Sequence, residues 1–470
     1  MIRGCARFLV SSPVALVLLA CSLTNAGTTA NAGPEAPPRT EVGLLFTLFD
    51  APFNLGKGFS FPSMRQSLDV AWALDRLTVL GIQEGYAALL PGRVGLRTGL
   101  GVGTAAAAAF GLLFVNGWMH EEWHRAVLSS RAVNSRNGFY HAAAWSSGIV
   151  SVDHVTDEDL ARLKAETPAD MVRAMSAGME SEQALVVSGG DELFFHGGQG
   201  WRLGPFYGSG SGMAPVLLVT QISTIGYYYW CMDPALDKVI DEQNMRQADW
   251  RNRDFTGPDC TAWVRDLFRP DEPYRDRGPH PTGIGIDRYV NWSDLTSEER
   301  SYFKRQSRLH LLNLLDPHLY GLDGVTLNQA NTDSRWVAAL GHFLTPWGYT
   351  LDVRAGLRTG AIAGNVVIHN GFAKAGYFPG IELAVVGWRL PTPGSSLDGA
   401  VGLWLQPRSL RYAARERVPG GRLQARLSWR VVDRLDLWAQ IAAKKEGWVM
   451  GEVYLGPMVC AAVGITGHLH

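Results

Sequence analysis

Two histidines and a glutamate, spaced so that they can grip and use a metal ion, lie in "GWMHEEWHRAVLSS", Gly117 to Ser130. On a helix, the i, i+4 spacing brings His120 and His124 to one face about one turn apart, where both imidazoles reach a single ion. Glu121 follows His120 directly, and a carboxylate in that place can take a proton from a water polarised by the ion. The preceding run, Thr98 to Met119, "TGLGVGTAAAAAFGLLFVNGWM", carries no charge. A helix that is apolar all round is either buried on every side or in lipid, and ionisable groups at its end are costly unless they are paired or metal-bound.

The sequence His120-Glu121-Glu122-Trp123-His124 resembles the H-E-x-x-H motif of the zincin metallopeptidases, over this helix alone. The resemblance implies zinc as cofactor, His120 and His124 as ligands, Glu121 as general base, and a peptide or protein as substrate. A catalytic zinc needs a third protein ligand and one open position. The metzincin continuation is missing, because Val127 and Ser130 stand where that branch has glycine and histidine.

A helix is expected from Pro168 to about Val187, with Thr167 as N-cap and Asp170 in the first turn. Met171, Met175, Gly178, Met179, Leu185 and Val186 share one stripe of it, with Glu182 near the centre and Glu180 on the opposite face. An acid inside an apolar stripe reads either as a buried glutamate paired with an arginine or as a ligand. Gly178-x-x-x-Glu182 resembles the third-ligand segment of the gluzincin branch, which implies a His120, His124, Glu182 site. A rival acid is Asp323: "NLLDPHLYGLDG", Asn313 to Gly324, faintly resembles a segment of site-2-type intramembrane proteases, and Met213 to Met232 would then be a second span. Against that reading, the helix ahead of the segment starts with the capping box Thr296 to Glu299 and carries Lys304, Arg305 and Arg308, so it is amphipathic.

The elements that must hold these residues fall into regions. Residues 67–187 have helical signals, 188–335 are mixed, and 336–470 are strand-like. "YTLDVRAGLR" and "RLQARLSWRVV" alternate apolar residues with charged or polar ones, and other segments of about ten residues follow the same rule. The expected fold class is α+β: a helical part with the zinc site, then a C-terminal antiparallel β-barrel of roughly eight strands, resembling an outer-membrane barrel. A soluble sandwich has the same alternation with the apolar face inside. The ending "GITGHLH" lacks the terminal aromatic common in outer-membrane barrels.

Composition excludes some classes. The 470 residues hold 43 Lys and Arg against 44 Asp and Glu, which gives no bias towards nucleic acid. Arg3 and Arg7 before the apolar run Phe8 to Ala20 form a secretory signal, expected to span residues 1–32 and to be cut after Ala30-Asn31-Ala32; Leu18 to Cys21 offers a competing lipobox that would lipidate Cys21. Residues 33–66 read as an extended lead-in. Cys231, Cys260 and Cys460 allow at most one internal disulfide. His141 and His154 are loop histidines, either of which can serve as a transition-state donor. The glycine-rich "SGGDELFFHGGQG" and "YGSGSGM" are flexible loops, and the aromatic run Tyr227 to Trp230 is packing.

Together these residues describe an exported, envelope-associated zinc hydrolase acting on peptides, located in the bacterial outer membrane. Two alternatives remain: a barrel with a non-catalytic helical plug or binding module, and a zinc-dependent hydrolase of an envelope lipid.

Overall fold

The computed structural model describes residues 42–52, 58–140, 151–197, 202–203, 206–208, 212–326, 334–359 and 362–469. The expected signal segment, the lipobox and His141 lie outside the described residues.

Two long helices come first, α1 (Met64–Leu89) and α2 (Val94–Ser130). In α2 the stripe Ala105, Ala109, Leu112, Asn116, His120, Trp123 is buried, while Leu96, Leu100, Phe110 and Phe114 on the other side are 40–49% exposed. The charge-free run is therefore half covered by protein. Then come α3 (Asp157–Glu166) and α4 (Pro168–His196).

Helix α4 begins where expected but runs nine residues past Val187. "SGG" does not break it because both glycines are close-contact points. A Cβ on Gly189 would lie 2.7 Å from the Trp72 ring, and one on Gly190 would lie 2.9 Å from His318 Nδ1. The expected loop at Ser188 is thus helix, stabilised by packing that outweighs a weak local propensity. Thr167 makes no side-chain cap.

The remaining helices are α5 (Ala214–Trp230), α6 (Asp237–Arg246), α7 (Asp259–Phe268) and α8 (Ser297–Leu309). In α8 the side chains of Thr296 and Glu299 each accept from the other's backbone N–H, closing the expected capping box.

The strands of the main sheet are β1 (Val42–Pro52), the short β4 (Arg202–Leu203), β5 (Phe206–Gly208) and β6 (Leu322–Val325), and eight long ones. The eight are β7 (Ser334–Thr345), β8 (Gly348–Thr359), β9 (Ile362–Ala373), β10 (Gly376–Arg389), β11 (Ser395–Pro407), β12 (Arg417–Val432), β13 (Leu435–Lys444) and β14 (Met458–Leu469). A separate two-stranded ribbon joins β2 (Arg136–Asn137) to β3 (Val152–Asp153).

The order β1-β14-β13-β12-β11-β10-β9-β8-β7-β6-β5-β4 is antiparallel throughout, and β1, from the expected lead-in, pairs with β14 from Val42–Leu469 to Pro52–Cys460. The fold is mixed α+β, but the expected closed barrel is not found among the described residues. Among the described residues β1 and β4 are the two ends of the ladder, and no pairing joins them.

The alternation points opposite to that of a soluble sandwich. Asp352 and Arg354 of β8 are 5% and 9% exposed on the concave side, whereas Leu403 and Leu423 of β11 and β12 are about 60% exposed on the outside. A cavity of about 390 Å³ lies between the concave side and helices α1 and α4.

Helix α4 is tied to this sheet through a buried ion pair. Glu180 accepts from Arg173 Nη2 at 2.8 Å, from Gly451 N at 2.9 Å and from Trp448 Nε1 at 3.2 Å. The arginine partner anticipated for Glu182 is found at Glu180 instead. Arg173→Ala leaves that carboxylate buried and unpaired, and is expected to cost about 3–5 kcal/mol; an unchanged thermal unfolding midpoint would show that the pair holds nothing together.

Candidate metal centre

His120 and His124 project from the buried stripe of α2 towards α4 and the start of α7. Helix α4 approaches them at Gly178, where a Cβ would lie 2.2 Å from His120 Nε2 and 2.4 Å from His124 Nε2. Any side chain there would occupy the space of the imidazoles.

The third group is Asp259, the first residue of α7. Its Oδ2 is 2.9 Å from His120 Nε2 and 3.4 Å from His124 Nε2. One ligand atom from each of the three residues lies within 4.8 Å of the others, and all three residues are buried.

The outer ring nitrogens are already engaged. His124 Nδ1 lies 2.5 Å from the carbonyl of Ala174; a carbonyl can only accept, so Nδ1 carries a proton and Nε2 is the ring atom turned towards Asp259. His120 Nδ1 lies 3.1 Å from Glu182 Oε1, and Glu182 Oε2 accepts from Thr224 at 2.6 Å. A carboxylate or carbonyl behind each imidazole is the usual arrangement that orients a histidine ligand.

Two Nε2 atoms and a carboxylate oxygen thus converge in a buried place, a donor set that could hold a metal ion. The donor set therefore fits a metal ion. Burial works against the charge of Asp259, yet the neighbouring imidazoles, His124 first, hold its carboxyl below the ordinary carboxylate range.

Glu121 and Glu122 have separate surroundings. Glu122 is fully buried and accepts from Arg125 at 2.7 Å, Asn137 at 2.9 Å and Tyr140 at 2.7 Å, so it joins α2 to the residues around β2. Glu121 is only partly buried and lines a cavity of about 70 Å³ together with His120, Tyr227, Trp230, Asp254 and Asp259. Tyr227 is stacked on Trp230, and its hydroxyl accepts from the backbone N–H of Asp259 at 3.1 Å. Burial and the charge of Asp259 push the Asp254 carboxyl up to about 8, so the cavity also holds a carboxyl that is protonated at neutral pH.

Of the residues singled out in the sequence, His120, Glu121 and His124 stand together, and Glu182 sits behind His120 on the side away from Asp259. Asp323 is elsewhere, on β6, 3.9 Å from Arg335. His154 pairs with Asp153 at 2.7 Å and does not line the cavity. The three cysteines are free.

The residues that sequence reasoning missed are Asp259 and the cavity wall of Tyr227 and Trp230. Nothing in "GPDC" separates Asp259 from other acids that open helices, and an aromatic run has the same appearance in a core as beside a cavity. The chain matches no family model and no curated protein.

If this donor set holds a metal ion, Gly178→Ala is expected to weaken its binding by about tenfold or more, as displaced ligand geometry does. Gly99→Ala, where a Cβ meets nothing within 4 Å, should leave it unchanged. Chelator competition measures both, and equal affinities would show that the close approach of α4 does not shape the centre.

Proposed function

We propose that this protein is a metal-dependent hydrolase, with zinc held by His120, His124 and Asp259 and with Glu121 as the proton-transfer group. The observation that carries the reading is the convergence of two Nε2 atoms and one carboxylate oxygen beside a cavity that a further carboxylate lines. Two imidazoles and a carboxylate suit zinc, and three protein ligands with an open side are typical of catalytic rather than structural zinc sites.

A divalent ion in this place supplies Lewis acidity, which polarises a carbonyl and acidifies a neighbouring water. The chain's own groups perform the rest. Glu121 accepts the water's proton and returns it to the leaving group. Glu182 and Ala174 hold the two rings in the tautomer that presents Nε2. Tyr227, whose hydroxyl accepts from Asp259 N and keeps its own proton to give, stands where it can donate to a developing oxyanion.

The proposed substrate is a peptide or protein, following the H-E-x-x-H resemblance; an ester or amide of an envelope lipid uses the same chemistry, and profiling both against the purified protein separates them. The non-catalytic alternative is disfavoured by Glu121, which faces the cavity and is not absorbed into packing as Glu122 is.

Glu121→Gln is expected to keep the metal and the fold while lowering hydrolysis by about 10²–10⁴-fold. Full activity in that variant against a substrate the wild type cleaves would overturn the assignment.

The ligand set is tested by metal content, with about one zinc expected per wild-type chain. Asp259→Asn should lose the ion, Glu182→Gln should weaken binding about 10–100-fold, and Asp323→Asn should change nothing. Retention of full zinc by Asp259→Asn would remove Asp259 from the ligand set.

A further inference from the structure

The outer face of the sheet is apolar where a protein in water would be polar. Val353, Leu357, Leu383, Leu403, Leu423 and Ile441, from five of the six adjacent strands β8 to β13, are each 40–61% exposed. The residues beside them in sequence, among them Asp352, Arg354, Glu382, Arg422 and Gln440, line the internal cavity. This inverts the pattern of a sandwich and matches that of a sheet with hydrocarbon outside and a polar interior. An exposed apolar face spanning this many strands is far larger than the few hundred Å² that a soluble monomer tolerates.

The exposed side of α2 has the same character. Its most apolar 18 residues are only 22% buried. From Val94 to Phe114 the helix rises roughly 30 Å, close to the thickness of a bilayer's hydrocarbon core. The long strands, of 10 to 16 residues, also suffice to cross it when tilted.

A sheet with free edges is not tolerated in lipid, because its unpaired N–H and C=O groups find no partner there. Here the free edge of β1 is covered by α1. Asp69 accepts from the backbone N–H of Thr47 at 2.9 Å, while Gln66 and Arg76 donate to the carbonyls of Leu48 and Gly43 at 3.2 and 2.6 Å.

The contacts continue around the opening. Tyr86 of α1 bonds Thr104 of α2 at 2.8 Å, and Asn116 of α2 donates to Thr220 of α5 at 2.9 Å. Gln221 of α5 then reaches His310, 3.2 Å away, whose other ring nitrogen lies 3.3 Å from His342 of β7. These contacts link α1, α2, α5 and the turn at His310 in a chain from β1 to β7, the outermost long strands of the sheet.

We infer that the outer face of the sheet and the exposed faces of α1 and α2 form one lipid-facing belt, occupied by bilayer hydrocarbon, with α1 sealing the edge of β1. The belt is independent of the metal chemistry. With both in place, His120 lies roughly 9 Å beyond Phe114 along α2, so the metal centre stands at the boundary between lipid and water.

The test uses the full chain in dioleoylphosphatidylcholine vesicles, with Cys5 and Cys21 replaced by serine and a spin label on one introduced cysteine. The other three cysteines are buried. Leu403→Cys and Leu423→Cys probe the sheet, Leu100→Cys and Phe110→Cys probe α2, and Arg251→Cys, at a 60% exposed side chain, is the aqueous reference. Labels at the four apolar positions should collide with dissolved oxygen and lose collisions with a water-soluble nickel chelate, while the reference label collides with the chelate.

Chelate collisions at Leu100 and Phe110 alone would confine lipid contact to the sheet and overturn the composite wall. Chelate collisions at all four positions, or recovery of the protein without vesicles on flotation, would overturn the belt altogether. Spin–spin broadening at the four positions would also overturn it, assigning the surface to a second copy of the chain.

Discussion

Helix α4 can lie against its neighbours only because it lacks side chains at three places, and the rest of the molecule is arranged around that approach. At Gly178 it meets the two imidazoles, at Gly189 the Trp72 ring of α1, and at Gly190 the ring of His318. On another face, Glu180 and Arg173 fix it to Trp448, Gly451 and the carbonyl of Glu452 beside the last strands. The same helix thus sets the positions of the two imidazoles, the first helix and the sheet. Glycine is a poor helix former, and its use here makes sense only through these contacts.

Neighbouring acids on each helix are divided between chemistry and structure by what surrounds them. Glu122 and Glu180 are buried and fully engaged, each with an arginine and further donors, and a carboxylate held in that way is not free to move a proton. Glu121 faces a cavity with water-sized room, and Glu182 spends its two oxygens on His120 and Thr224. Burial raises the cost of every charge in this region, so each is paired, hydrogen-bonded to a ring or, as with Asp254 and Glu121, pushed towards its neutral form.

The sheet and the helices solve one problem together. An antiparallel sheet with polar side chains inside and apolar ones outside can avoid free edges by closing on itself, yet among the described residues this one ends at β1 and β4, with polar side chains of α1 set against β1. The interior left behind is lined by pairs such as Arg422 with Glu382 and His369 with Asp352, both at 2.7–2.8 Å, so the concave side satisfies most of its charges internally.

The sequence by itself determined what depends on spacing along one element. The i, i+4 histidines, the start of α4 at Pro168, the capping box of α8 and the strand alternation after residue 336 were all legible, because helix and strand periods are local properties of the chain. Tertiary structure decided the rest. Asp259 meets His120 across 139 positions of sequence, and no local signal distinguishes it from Glu182, which lies on the expected stripe but on the other side of the ring. The alternation was readable but its direction was not, since a strand with two contrasting faces does not record which of them will be turned inward. Nor could an open sheet be told from a closed one, because closure depends on whether two strand edges meet in space, and among the described residues those of β1 and β4 do not pair.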